Sequence, residues 1–251
     1  MKKILALLCA LTMTFSAALA APVQPGEGLC GAYCYPDGSD ETSAAYVYRY
    51  SYPTAAGQDE ASQMINEFYA YLVDDALSFA VPMAAEEVAM NGVQAYTTIT
   101  SEVTCSNDDY FSVKVTSESF LGAAASSTVS AHVFALTGEK AGTVTALPYL
   151  LEILDPGETD EWLLERQTAK ADDMVRSLVW DVIQEQLADD AVAYYDDLTR
   201  EVFEFCFYPE EDFYLDENGN PVFFLQEGAV APVSEGVLYF PFTLEELLDE
   251  I

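Results

Sequence analysis

The sequence predicts an α+β domain: helices packed on one face of an antiparallel sheet, closed by a C-terminal hairpin and a final helix. Three observations carry this expectation. Residues 94–104, 110–121 and 128–136 alternate apolar and polar side chains with period two, as strands with one solvated face do. After residue 147 the apolar period becomes helical. The last forty residues, 212–251, return to short aromatic runs on either side of Asn218-Gly219, a strong short-range hairpin signal.

The basic start Met1-Lys2-Lys3, the apolar stretch 4–20 and the small residues Ala18 and Ala20 have the form of a signal peptide cleaved after Ala20. Neither Cys9, inside the apolar run, nor Cys30, after the polar Glu27-Gly28, fits a lipid-anchor pattern. No later stretch is long and apolar enough to suggest a membrane span. Residues 21–43 contain Pro, Gly and Asp without periodicity and read as a flexible leader, which leaves 44–251 as a single domain. Within it, 44–52 alternates tyrosines with small residues as a first strand. Asp59 then caps a helix whose stripe is Ile65, Phe68, Tyr69, Leu72, Ala76 and Phe79. The three alternating strands follow, and Thr137-Gly138 turns the chain. A long helix over 158–188 should bury Trp162, Val175, Leu178, Val182 and Ile183 and turn its acids outward. Runs at 212–215 and 222–225 form the hairpin and 237–240 adds a third strand. Thr243 caps a closing helix with Leu244, Leu247, Leu248 and Ile251 on its apolar stripe.

A chain of 251 residues with 51% hydrophobic content can bury a full core without disulfides or metals. Its charge is the unusual property: 43 acidic residues face 9 basic ones, and the formal net charge is −34. Such a body repels nucleic-acid phosphates and anionic membrane surfaces; it attracts basic partners and also favours solubility. Cys30, Cys34, Cys105 and Cys206 would remain after cleavage, an even number that in an exported chain favours disulfides with three possible connectivities. The expected pairs are Cys30 with Cys34 and Cys105 with Cys206. Zinc is the alternative for these thiols, but the spacing is not C-x-x-C and no histidine lies near, so no metal site is assigned.

Histidine-dependent catalysis has one candidate, His132, which sits mid-strand beside Ser130 and Phe134, where packing is the usual role. Carboxylate pairs could hydrolyse a glycosidic bond, but 43 candidates nominate no pair. The turn Asp216-Glu217-Asn218-Gly219-Asn220 resembles half a calcium loop, yet its glycine is fourth from Asp216 where a calcium loop needs it sixth. No catalytic residue and no cofactor is therefore assigned.

The C-terminal run, together with Asp109-Tyr110-Phe111-Ser112-Val113, Gly122-Ala123-Ala124-Ala125 and Phe134 through Gly138-Glu139-Lys140, resembles in order and spacing the RsiV-like extracytoplasmic domain family. That family includes the outer domain of the lysozyme-sensing anti-sigma factor and also occurs beside peptidoglycan deacetylase modules. The resemblance covers roughly residues 45–251. It implies a secreted, non-catalytic binding domain that recognises lysozyme or another basic or cell-envelope ligand. The alternative is an envelope-acting enzyme, or the accessory domain of one, built on carboxylates. Where relatives carry G-G-A-H, the fourth position here is Ala125, so any role of that histidine is absent. Recognition is expected from two loops at one end of the sheet, 122–127 and 228–236, through Gly122, Ala123, Ala124, Ala125, Ala231, Pro232, Glu235 and Gly236. Export predicts a mature N-terminus at Ala21: intact-mass measurement on the chain recovered from culture medium should give residues 21–251, and a full-length mass would refute cleavage.

Overall fold

The computed structural model describes residues 23–155 and 157–250; the expected signal peptide lies outside them. A five-stranded sheet is ordered β1 (Leu29–Tyr35), β2 (Tyr46–Tyr52), β3 (Ala95–Ser106), β4 (Tyr110–Phe120) and β5 (Ala125–Ala135). Neighbours pair antiparallel except β2 with β3, which run parallel. Parallel neighbours need a long crossover. Here it is the helical segment α1 (Glu60–Asp75), a π-helical turn (Ala76–Ala80) and α2 (Val81–Asn91). Asp59 caps α1 as the sequence predicts, its carboxylate accepting the Ser62 N–H at 2.9 Å.

The chain then passes through a short 3-10 turn (Gly138–Lys140), α3 (Leu147–Leu150), α4 (Glu161–Ala188) and α5 (Arg200–Cys206). It ends in a second sheet of β6 (Phe213–Leu215), β7 (Pro221–Leu225) and β8 (Leu238–Pro241), followed by α6 (Leu244–Asp249). The α+β class and the C-terminal hairpin are thus as the sequence predicts. The hairpin turn spans 216–220, with the Asp216 carboxylate accepting the Asn218 and Asn220 N–H groups and Gly219 at φ 82°. Thr243 and Glu246 form a reciprocal capping box at the start of α6, and Leu247 is fully buried.

Two cores lie on opposite faces of the large sheet. Residues next to each other on one strand serve both: Phe134 enters the core under α1 and Val133 the core shared with α4 and the second sheet. On β3, Val103 faces the first core and Cys105 the second, although two positions of a regular strand share a face. A bulge between them reverses the alternation. Ser112 on β4 is completely buried between the sheets; its hydroxyl accepts the Leu215 N–H at 2.9 Å and the Thr104 hydroxyl proton at 3.0 Å.

Several expectations need correction. The leader expected over 21–43 includes β1: Leu29, Tyr33 and Tyr35 pack against the aromatic core while Cys30 and Ala32 face outward. Phe79 is exposed because the π-helical turn rotates the apolar stripe of α1 out of register. Trp162 is also exposed, its ring covered by the Arg166 guanidinium; Ala171, Val175, Val179 and Ile183 form the buried face of α4. The four cysteines among the described residues are free thiols. Cys30 and Cys34 lie four residues apart on one extended strand, so their Cα atoms stand roughly 13 Å apart, well beyond disulfide reach. Cys105 is buried on β3 and Cys206 ends α5, and no bond joins them.

Replacing Ser112 with alanine strands the buried Leu215 N–H without an acceptor. Ser112→Ala should lower unfolding free energy by about 1–3 kcal/mol in urea denaturation, and an unchanged midpoint would show that this tie is dispensable.

Candidate functional site

The chain just before the 228–236 loop meets the edge of β5 beside the 122–127 loop. Strand β5 is an edge strand, and its outer backbone groups near the 121–124 turn are taken by side chains from that segment. Gln226 accepts the Val129 N–H at 2.9 Å and donates to the Val129 carbonyl at 2.7 Å, while Glu227 accepts the Ser127 N–H at 2.7 Å. This mimics a paired strand and blocks the edge. Gly122, Ala123, Ala124 and Ala125 are exposed, Pro232 and Gly236 are half-buried and Glu235 is exposed. Ala231 is 3% exposed and belongs to the core, so its methyl offers no recognition surface. The methyl groups and glycines of these loops carry little chemistry with which to discriminate a ligand.

A more developed concavity lies at the opposite end of the β4–β5 hairpin. It is a cleft of about 630 Å³ walled by Tyr110, Lys140 and Tyr149, floored by Ala146, Leu150 and Leu244, and rimmed by Asp109 and Glu152. Its wall continues the sheet, because the Thr145 N–H donates to the Val133 carbonyl and the Gly142 N–H to the Ala135 carbonyl at 2.6 and 2.7 Å. Gly142 has φ 82° and packs against α1; a Cβ there would approach Met64 and the Ala61 backbone to 2.9–3.0 Å. No larger residue lets this wall sit so close to the helix. In the sequence, Thr137-Gly138 reads as a turn and Gly138-Glu139-Lys140 as part of the family resemblance, and nothing there marks a site. The lining comes from three separated stretches of chain, so spacing could not reveal the cleft.

His132 is half-buried beneath α1. Its Nδ1 lies 3.3 Å from the Tyr69 hydroxyl, Phe68 meets its ring edge-on at 4.9 Å, and burial lowers its pKa to about 4. A neutral imidazole in an aromatic cluster is a packing element at physiological pH. Among the described residues no group of three or more His, Cys, Asp or Glu side chains gathers as a metal site, and the cysteines considered for zinc are spread over β1, β3 and α5.

One carboxylate pair stands out. Asp172 on α4 is 6% exposed and pairs with Glu210; burial, then the hydrogen bond and charge of Glu210, raise its pKa to about 7 against the pull of Arg176. Arg176 Nη2 is 4.0 Å from Asp172 Oδ2 and also donates to the Phe207 carbonyl at 3.3 Å. Asp172 Oδ1 is buried without a hydrogen-bond donor, which disfavours the ionised carboxylate. Asp212, close by in sequence, has its pKa raised to about 6, mainly by burial. Two acids in hydrogen-bond contact leave no space for a sugar between them, and neither lines the cleft.

Because the folded state holds the Asp172 proton more tightly than the unfolded chain does, this pair supports the fold in acid. That support is lost as pH rises from about 4 through about 7. Glu210, Asp173 and Arg176 are the charged groups that face it. Asp172→Asn should therefore raise stability at pH 8 by on the order of 1–3 kcal/mol relative to the parent and much less at pH 4. Thermal midpoints measured across this range would contradict the assignment if the parent and variant curves ran parallel.

Comparison with known proteins gives the fold its context. No protein-family model matches the chain, and no curated protein is significantly similar to it. Two solved structures are similar in fold. A DUF3298-family member from Bacteroides fragilis NCTC 9343 aligns with TM-score 0.52 and 14% identity over 90% of this chain and 93% of its own. A DUF3298-family protein from Pseudomonas aeruginosa PAO1 aligns with TM-score 0.53 and 13% identity over 93% of this chain and 95% of its own. The chain thus has a fold similar to that of DUF3298-family proteins along nearly its whole length, at an identity that speaks for the fold and for no ligand.

Proposed function

We propose that this chain is an exported, non-catalytic binding domain of RsiV-like type whose partner is a basic polypeptide. Lysozyme is the partner that the sequence resemblance suggests. The observation that carries the reading is the charge: 43 acids against 9 bases, with four ion pairs among the described residues. A surface of this kind draws a cationic protein from a distance and repels nucleic acid and anionic lipid. Among the described residues no helix is long and apolar enough to cross a membrane.

An envelope-acting hydrolase is the second reading, and the raised pKa of Asp172 is what favours it. The contact between Asp172 and Glu210 and their absence from the cleft lining weigh toward a structural role for the pair. Cell-envelope glycans remain the natural ligand class under that reading.

Calorimetric titration of residues 21–251 with lysozyme, at low and physiological salt and beside an unrelated basic protein, separates recognition from bulk attraction. Recognition predicts saturable binding that survives about 0.15 M salt, where exposed charges more than ~8 Å apart are screened, and that the control protein lacks. Equal binding of both proteins, abolished by salt, would reduce the acidity to a solubility device.

A further inference from the structure

We propose that the cleft between the 109–110 corner, the 137–146 wall and α3 binds a lysine or arginine side chain of a basic polypeptide. The inference rests on the binding-domain reading and names the place on the surface where that binding is selective.

Four features converge there. The cleft volume, about 630 Å³, exceeds what one extended cationic side chain and its flanking backbone need. Its floor, Ala146, Leu150 and Leu244, is apolar and suits the methylene stem of such a side chain. Asp109 and Glu152 stand at the rim, both exposed, both close enough to act on the Tyr110 hydroxyl, and neither in an ion pair among the described residues. Glu152 is held there by an uncommon backbone, φ 55°, as its N–H bonds the Tyr149 carbonyl at 3.2 Å.

The fourth feature is independent of the acids. Lys140, on the cleft wall, places its ammonium 5.9 Å from the centroid of the Tyr149 ring. The ring face therefore already receives a cation, and the cation is the chain's own. An incoming guanidinium would displace Lys140 from Tyr149 or settle beside it between Tyr110, Asp109 and Glu152. In either case the resident lysine opposes the ligand, by competition or by like charge. An anionic ligand would instead need Lys140, and this contrast decides between the two.

The probe is an uncapped-charge-free peptide, acetyl-Gly-Arg-Gly-amide, with its citrulline counterpart as the neutral control, followed by chemical-shift titration of the folded chain. The arginine peptide should shift resonances of Tyr110 and Tyr149 saturably, and the citrulline peptide should not. Asp109→Asn and Glu152→Gln should each weaken binding about fivefold, the scale of an exposed charge pair. The variant Asp74→Asn with Asp75→Asn, which alters net charge on a distant exposed helix end, should change it less than twofold. Lys140→Gln should tighten binding. Weakening by Lys140→Gln, or equal losses from the rim and the distant variants, would overturn the proposal. The same variants then enter the calorimetric titration. Lysozyme binding untouched by the rim substitutions would refute the cleft as the selective site while the binding-domain reading stands. Arginine-peptide binding without binding of any basic protein would uphold the cleft's cation chemistry and refute that reading.

Discussion

The Leu215 N–H meets the Ser112 hydroxyl at 2.9 Å where strand β6 crosses the back of β4, and neither group has water within reach. Strand β4 is the reason such a contact is needed. Phe111, Val113 and Val115 are spent on the core beneath α1, so the opposite face of the strand must be covered by a second layer. That layer is the three-stranded sheet with α4, and a small buried hydroxyl accepts a backbone donor, the Leu215 N–H, that it presses against the strand. The bulge in β3 belongs to the same solution: by reversing the alternation after Val103 it delivers Cys105 to the back core beside Val133 and Leu215.

Closing the sheet on its β5 side follows from this two-layer plan. Once the second layer lies against β4, its connecting segments pass the free edge of β5 and can satisfy it. Residues 142–145 pair with 133–135 at one end, and Gln226 and Glu227 replace a strand at the other. The cleft forms where the first of these covers leaves the edge and turns into α3. Its position is thus a by-product of edge protection, and its chemistry is set by the residues that happen to stand at that departure.

Much of the architecture was legible in the sequence because it rests on local rules. Period-two alternation located β3, β4 and β5, Asn218-Gly219 located the hairpin, and Asp59 and Thr243 announced their helices. What escaped depends on relations that no local rule encodes. Phe79 continues a perfect stripe, yet one extra residue per turn moves it to solvent. β1 carries its signal only at Leu29, Tyr33 and Tyr35, diluted by Gly31 and by cysteines that drew attention to disulfides. The parallel pairing of β2 with β3 is invisible to alternation, which is the same for either direction. Of the nominated binding residues, Ala231 was misplaced because an A-P loop looks exposed whether or not its alanine points inward.

The acidity and the cleft answer different parts of the recognition problem. Arg49, Lys114, Arg176 and Arg200 are engaged with Glu41, Glu102, Asp172 and Glu204, and Arg166 and Lys140 lie over aromatic rings. Most carboxylates consequently keep an outward field with no internal counter-charge. Such a field extends only about a Debye length, ~8 Å at physiological salt, and it does not distinguish one cationic protein from another. Discrimination requires carboxylates held by the fold over a shaped, partly apolar surface, where a partner must present its cation at one position and angle to gain both charge and contact. Asp109 and Glu152, fixed by the strand corner and by a left-handed residue after α3, meet that requirement beside Tyr110 and Tyr149. On the binding reading proposed above, the distributed charge would govern how often a cationic partner arrives, and the geometry of this corner which partner stays.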